Sequence, residues 1–479
     1  MFRSLLRLSV VCMALGLTAC DDAPRFTKAE PGESRAGGAT TVNKRDQNAF
    51  SLPSANLSPT RRLDFSVGNS FFRSPWVIAP STTTARDGLG PLFNTNACQN
   101  CHIKDGRGHP PLPDAANAVS MLVRLSIALP TQDQQPYAKL IEQAGVVPEP
   151  TYGGQLQDMA VPGVTPEGKV RFDYTPVNVT FKDGTVVELR KPDLQITQLG
   201  YGPMHPDTRF SARIAPPMIG LGLLEAISDA DILRNTAPKT ADKEAIVGRA
   251  NQVWDDAQQK TVLGRFGWKA GQPNLNQQNV HAFSGDMGLT TSLRPFDDCT
   301  EAQVACKQAP NGNGADGEPE VSDNILRLVL FYTRNLAVPV RRQVNDPQVL
   351  AGKNLFFQAG CQGCHKPTFT TSANAAEPEL ANQVIRPYSD LLLHDMGDGL
   401  ADNRSEFKAG GRDWRTPPLW GIGLTHTVSG HTQFLHDGRA RNLLEAVLWH
   451  GGEAQAAQQH VLSFNAEQRA ALLAFLNSL

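Results

Sequence analysis

The chain has little charge imbalance, few cysteines and no apolar stretch suited to crossing a membrane near its start. Charged residues are 19% of its 479, and 45 basic against 47 acidic side chains leave a formal charge of −2. That balance implies no nucleic-acid partner, which would call for a basic face. The N-terminal apolar run, Leu5 to Leu17, is shorter than the roughly 17–25 residues of a spanning helix. Hydrophobic content of 40% is ordinary for a globular protein, and the length allows two or three domains.

Arg3 precedes that run, Arg7 lies near its start, and "LTAC" (Leu17 to Cys20) closes it. Residues 1–20 therefore read as an export signal. Small residues before Cys20 resemble a bacterial lipobox; the plainer alternative is a signal peptide with an incidental cysteine. Lipid on Cys20 would anchor the protein to a membrane from the periplasm. Asp21 after it points to the inner membrane. Cys12 leaves with the signal, so six of the eight cysteines remain to be explained: Cys98, Cys101, Cys299, Cys306, Cys361 and Cys364.

Residues 21–60 are rich in Pro, Gly, Ser, Asn and Thr, which predicts a flexible tether. Residues 169–197 alternate apolar and polar side chains around "KDG", a β-hairpin pattern. "SDADILRNT" predicts a helix capped by Ser228, and "KEAIVGRANQVWDDAQ" a second helix. "SDNILRLVLFYTRNLAV" predicts a long amphipathic helix capped by Ser322 or Asp323, and "NAEQRAALLAFLNSL" a closing helix. "APPMIGLGL" (Ala215 to Leu223) is repeated as "TPPLWGIGL" (Thr416 to Leu424), each copy after a CxxCH motif. The halves are thus related, the first carrying an insertion of about sixty residues that holds the hairpin.

The motifs are "CQNCH" (Cys98, Cys101, His102) and "CQGCH" (Cys361, Cys364, His365). A redox dithiol has no need of the following His, and a zinc site needs four ligands. Covalent haem needs two thiols to add to the porphyrin edge and a His to reach iron. Two copies in an exported chain point to two c-type haems with His102 and His365 as proximal ligands. Cys299 and Cys306 read as a structural disulfide, since the neighbouring Asp297, Asp298 and Glu301 would not lower a thiol pKa.

The phrases "DGLGPLFNTNACQNCHIKDGRG", "RIAPPMIGLGLLEAI", "GRFGWKAGQP", "FSGDMGLTT", "FYTRNLAVPVRR" and "FLHDGRARNLLEAVLWHGGEA" resemble the di-haem oxidoreductase family. That family is also labelled "thiol oxidoreductase" or domain of unknown function 1111. It is related to bacterial di-haem cytochrome c peroxidases and methylamine-utilisation oxidases. The resemblance implies a mainly α fold of two cytochrome c-type haem domains, 61–340 with the insertion and 346–479. It also implies a calcium ion between domains, held largely by carbonyls.

In the related peroxidases a Met fourteen residues after a motif His is the distal ligand of the electron-transfer haem. Here His436 takes the motif position and His450 stands where Met would, so the resemblance implies a His365/His450 haem. Trp268 matches a Trp between the haems. Gln278 and Asp286 match, in part, a Gln and a Glu over the open iron of the first haem; Asp286 falls two residues early and "DGR" is missing. Asp286 reads equally as a turn residue. The far side of the first haem stays open: His109, His205, Met218 and His281 are the candidates, or none. The reading that follows is a membrane-anchored periplasmic peroxidase, supplied by a small redox protein or a quinol-linked donor. The alternative is a di-haem electron-transfer protein or oxidase acting on a protein, a thiol or ferrous iron.

Overall fold

The computed structural model describes residues 25–479, apart from 114, 237–245 and 315. The signal segment, with Cys12, Cys20 and Asp21, lies outside the described residues. Among the described residues no helix is long and apolar enough to cross a membrane.

The mainly α expectation is wrong. The chain is 32% helical and 18% strand, and the strands form several small antiparallel sheets. The main helices are α1 (Pro59–Arg73), α2 (Leu275–Met287), α3 (Asp323–Asn335), α4 (Pro347–Gln358) and α5 (Ala466–Ser478). Each starts at a side-chain cap: Ser58, Asn274, Ser322, Asp346 and Asn465 accept from backbone N–H groups of their first turns. Such caps satisfy donors that have no partner inside the helix. Helix α3 packs on α1 and α2 in the first half, and α5 packs on α4 in the second.

The strands that matter for the site are β1 (Met121–Ile127), β2 (Gln155–Leu156) and β5 (Thr208–Ile214), in sheet order β2-β1-β5. Val123 and Leu125 of β1 are buried in an apolar cluster, while Leu122 and Arg124 face a cavity. That is the two-residue alternation of a strand. Strands β3 (Lys169–Thr180) and β4 (Val186–Thr197) form the hairpin expected from sequence, paired Lys169↔Thr197 through Thr180↔Val186. Its tip docks on the second half: Lys182 N donates to Leu462 O, and Arg469 pairs with Asp183 at 2.7 Å. Residues 246–258 are not the expected helix. Gln252–Asp255 is a strand paired with Lys260–Leu263, and Lys243–Ala245 lie outside the described residues.

Residues 25–58 are not a loose tether where they are described. Phe50 and Ala49 are core residues. Glu33 is buried and ion-paired with Arg341 and, at 2.8 Å, with Lys353. Phe26 N donates to Asn354 Oδ1 at 2.6 Å. The segment therefore straps the first residues to the second half.

The internal repeat is a structural repeat. Gly220 and Gly421 both have positive φ (69° and 72°) at the start of a helical turn, a conformation that suits glycine. They face each other's copies: a Cβ on Gly220 would come within 2.4 Å of Trp420, and one on Gly421 within 2.6 Å of Ile219. Ile219, Leu223, Trp420 and Leu424 share one core cluster, so the two halves meet through the repeat.

Candidate functional site

The first CxxCH forms one helical turn, Cys98–Cys101, behind the loop of Asn94 and Thr95. That loop is fixed to the end of α2: Asn94 N and Thr95 N both donate to Asp286 O. Cys98, Cys101, His102, Trp268, Gln278 and Asp286 all line a single cavity between the halves. The sequence thus named six side chains that the fold brings together.

Cys98 and Cys101 are not disulfide-bonded to each other. Burial pushes the Cys98 thiol up to about 12, and burial likewise raises Cys101. A redox dithiol works through its thiolate, which burial disfavours here. Among the described residues no group of three or more His, Cys, Asp or Glu could hold a metal ion. The carbonyl-held calcium of the resemblance therefore gains no carboxylate cluster here.

His102 is oriented for ligation. Its Nδ1–H donates to Pro216 O at 2.8 Å, because a carbonyl only accepts. Nε2 is left with its lone pair, and burial lowers the ring to about 4, keeping it neutral. A backbone carbonyl holding the far nitrogen is the usual arrangement behind a ligating His. Pro216 belongs to the first copy of the repeat.

The second site is built alike. His365 Nδ1–H donates to Tyr388 O at 2.9 Å, and His450 Nδ1–H to Ala446 O at 2.7 Å. Burial lowers both rings, His365 to about 4. The two imidazoles stand with their centroids 6.4 Å apart, their planes tilted by 47°. Two metal–imidazole bonds of about 2.0–2.1 Å each span about 4 Å between nitrogens, and the half-widths of the two rings supply the rest. Residues and spacing fit a haem iron held from both sides. Beside it stands His394, not singled out in the sequence, bonded to Asp390 at 3.0 Å and Glu453 at 2.8 Å, with Cys364 Sγ 3.6 Å away.

Among the described residues, no such imidazole faces His102 across the first site. His281 lines the cavity, but Nε2 is within 2.8 Å of Asp256 and Nδ1 meets Gln272 at 2.9 Å. His109 Nδ1–H donates to Pro110 O, and His205 lies half exposed beside Asp207. Met218 lines the same cavity, two residues after the carbonyl that holds His102. The cavity wall instead carries Asp286, Gln155 and Arg124. Gln155 Nε2 donates to Asp286 Oδ1 at 3.0 Å. Arg124 stands opposite Gln155 in the β1–β2 register. Burial raises the Asp286 carboxyl, while Arg124 and the Gln155 bond oppose the rise. Gln278, on α2, lines the cavity half-buried. Arg124 and Gln155 escaped the sequence reading; the alternation of "MLVRLSI", with one charge inside an apolar strand, was the available signal.

Trp268 is buried on the cavity wall, its Nε1–H donating to Ile214 O at 2.9 Å. Its ring meets the edge of His436 at 6.5 Å, and His436 stacks on Trp414 at 3.7 Å and 12°. A row of aromatic rings thus runs from the first cavity into the second half. Cys299 and Cys306 are disulfide-bonded.

The family model described as "Di-haem oxidoreductase, putative peroxidase" matches residues 32–479. The chain belongs to the di-haem oxidoreductase family. Membership makes it a di-haem redox protein and agrees with two CxxCH sites built on one plan. No curated protein matches the chain. Among solved structures, a chain of Kuenenia stuttgartiensis hydrazine synthase pressurized with 20 bar xenon is 12% identical. The match covers 92% of this di-haem oxidoreductase and 96% of that chain, with a TM-score of 0.31, too low to carry any argument.

Proposed function

We propose that this protein is a membrane-anchored periplasmic c-type cytochrome that reduces hydrogen peroxide at the His102 haem. The observation that carries the reading is the cavity in which, among the described residues, no imidazole faces His102 while Asp286, Gln155 and Arg124 share the wall. A bound haem supplies an iron that passes electrons to a peroxide oxygen. Asp286, ionised, takes the proton from one peroxide oxygen and delivers it to the other, which leaves as water. Gln155 holds Asp286 by its Oδ1. The Arg124 cation steadies negative charge on the departing oxygen. Peroxide, two electrons and two protons give two waters.

The His365/His450 site offers no open face, which suits electron entry rather than substrate binding. Trp268, His436 and Trp414 give the electrons a packed route to the first cavity. The donor is a small redox protein or a quinol-linked one. Cys20 carries lipid, and Asp21 keeps the protein at the inner membrane.

Three measurements test this. Mass spectrometry of the mature protein should show two covalent haems, and fewer than two would end the reading. Steady-state assays should show peroxide-dependent oxidation of a reduced donor, and no turnover would leave electron transfer alone. Cys20→Ala should move the protein from the membrane to the soluble fraction; unchanged membrane retention would remove the lipid anchor.

A further inference from the structure

Six arginines line the first cavity: Arg107, Arg124, Arg213, Arg294, Arg404 and Arg415. They share it with three carboxylates, Asp286, Asp298 and Glu406. Arg213 and Arg404 both pair with Glu406, at 2.7 and 2.9 Å, and Arg124 bears on Asp286. Arg124 and Arg294 make no ion pair among the described residues but are only half-buried, whereas Arg107 and Arg415 are buried. They are 5% and 7% exposed, and neither makes an ion pair among the described residues. Arg107 Nε is buried with no hydrogen-bond partner. Arg415 donates to the carbonyls of Gly267 and Thr416. Burial lowers both, to about 10, which still leaves them charged at neutral pH. A buried cation is costly unless a charge counters it, and of these two only Arg415 has one bearing on it, that of Asp390.

Both flank Trp268. Arg107 Cζ is 5.9 Å from that ring, and Arg415 N donates to Trp268 O. Haem brings two carboxylates of its own, and guanidinium groups match carboxylates better than any other side chain. We propose that Arg107 and Arg415 are the seats of the two propionate carboxylates of the haem bound at Cys98, Cys101 and His102. The inference rests on the first cavity holding a haem. It turns the acidic edge of that haem towards Trp268, the residue that starts the aromatic row. No sequence motif marked either arginine. Arg107 lies in "DGRGHPP" and Arg415 before "TPPLWGIGL", so each sits beside a motif that was read for another reason.

The test is a redox titration of the holoprotein carrying Arg107→Gln or Arg415→Gln, with Arg107→Lys as the conservative control. Near Arg107 the titratable neighbours are His431, whose Nε2–H donates to Arg107 O, and His109, whose ring is 5.3 Å from His431. Asp390 is the charge felt by Arg415. All remain in every variant. At pH 8 the potential of the His102 haem should fall in both Gln variants, since a cation beside an ionised carboxylate is lost. The fall should shrink towards pH 5.5 as the unpaired propionate takes a proton, while the wild-type potential changes less over that range. Arg107→Lys should recover most of the shift, and the His365 haem should not move. Wild-type potentials and pH profiles in both Gln variants would overturn the assignment, as would a shift that lysine does not recover. If the Gln variants lose haem, redox-difference infrared spectra of wild-type protein with isotope-labelled propionates decide. Ionised carboxylate in both redox states supports the pairing, and a protonated carboxyl refutes it. Two haems by mass with unmoved potentials would sink this inference alone, whereas fewer than two haems would sink the haem reading beneath it.

Discussion

His450→Ala tests the second site where the structure is most specific. The His365 and His450 rings are 6.4 Å apart, and each gives its Nδ1–H to a backbone carbonyl. Truncating His450 removes one of two axial nitrogens and leaves the CxxCH tether untouched. It also removes one hydrogen bond, to Ala446 O, worth about 0.5–1.5 kcal/mol. That is small against the stability of a folded domain, about 5–15 kcal/mol, so the variant should fold and keep both haems. Only one of the two sites contains His450, which sets the magnitude: half of the total haem should change. Absorption and electron paramagnetic resonance of the ferric protein should show that half leaving the six-coordinate low-spin state. Added imidazole should restore it by filling the vacated space. His450→Met should instead stay six-coordinate and raise the potential of the same haem, as Met ligation does relative to His. A low-spin signal undiminished in His450→Ala, or a change spread over both haems, would refute the ligand assignment.

Asp286→Asn should cut peroxide turnover by about 10²–10⁴-fold, the usual worth of a positioned base, with haem content unchanged by mass; normal turnover would remove Asp286 from the chemistry. Burial raises Asp286 and Arg124 opposes that rise. In Arg124→Gln the carboxyl therefore goes higher still. The base works only when ionised, so the acid limb of kcat/KM should move to higher pH, and a limb that stays or moves down would contradict the pairing. Trp268→Phe should slow electron transfer between the haems in stopped-flow experiments while leaving their spectra unchanged. Its lost bond to Ile214 O costs about 1 kcal/mol, so equal transfer rates would exclude Trp268 from the route. Glu33→Ala leaves Arg341 buried without its carboxylate and Lys353 with only the half-exposed Glu30, and should cost about 3–5 kcal/mol in urea unfolding. Burial pushes Glu33 up, and its bonds to Lys353 and Arg341 more than offset this, so its carboxyl lies below the usual range. The stabilisation is therefore present above the ordinary Glu pKa and lost as pH falls through the lower, folded value.

The site was legible in the sequence wherever chemistry is packed into consecutive residues. CxxCH carries its own geometry, and the repeat after each copy supplies Pro216 and the facing turns at Gly220 and Gly421. His450 was singled out by a spacing, and its ring stands 6.4 Å from that of His365. What escaped depends on partners far away in the chain. Strand β1 pairs with β5 at Met121↔Ile214, a contact that no local pattern announces. Arg124 and Gln155 face Asp286 only because of that sheet and its β2 neighbour. The segment 246–258 has residues that tolerate a helix, yet pairing of Gln252–Asp255 with Lys260–Leu263 decides it. Residues 25–58 have the composition of a linker, but Glu33 and Phe50 are enough to dock them. The mainly α expectation failed because many strands, some paired locally and some with distant partners, add up.

The central claim is that the His102 haem meets peroxide and the His365/His450 haem does not. The most direct measurement is anaerobic mixing of one equivalent of hydrogen peroxide with the fully reduced protein, following both haems by rapid-scan absorption. The account predicts that both haems are oxidised, that the His102 haem alone shows a change of coordination, and that Trp268→Phe delays only the second oxidation. Unchanged spectra after peroxide, or a coordination change at the His365 haem, would contradict it.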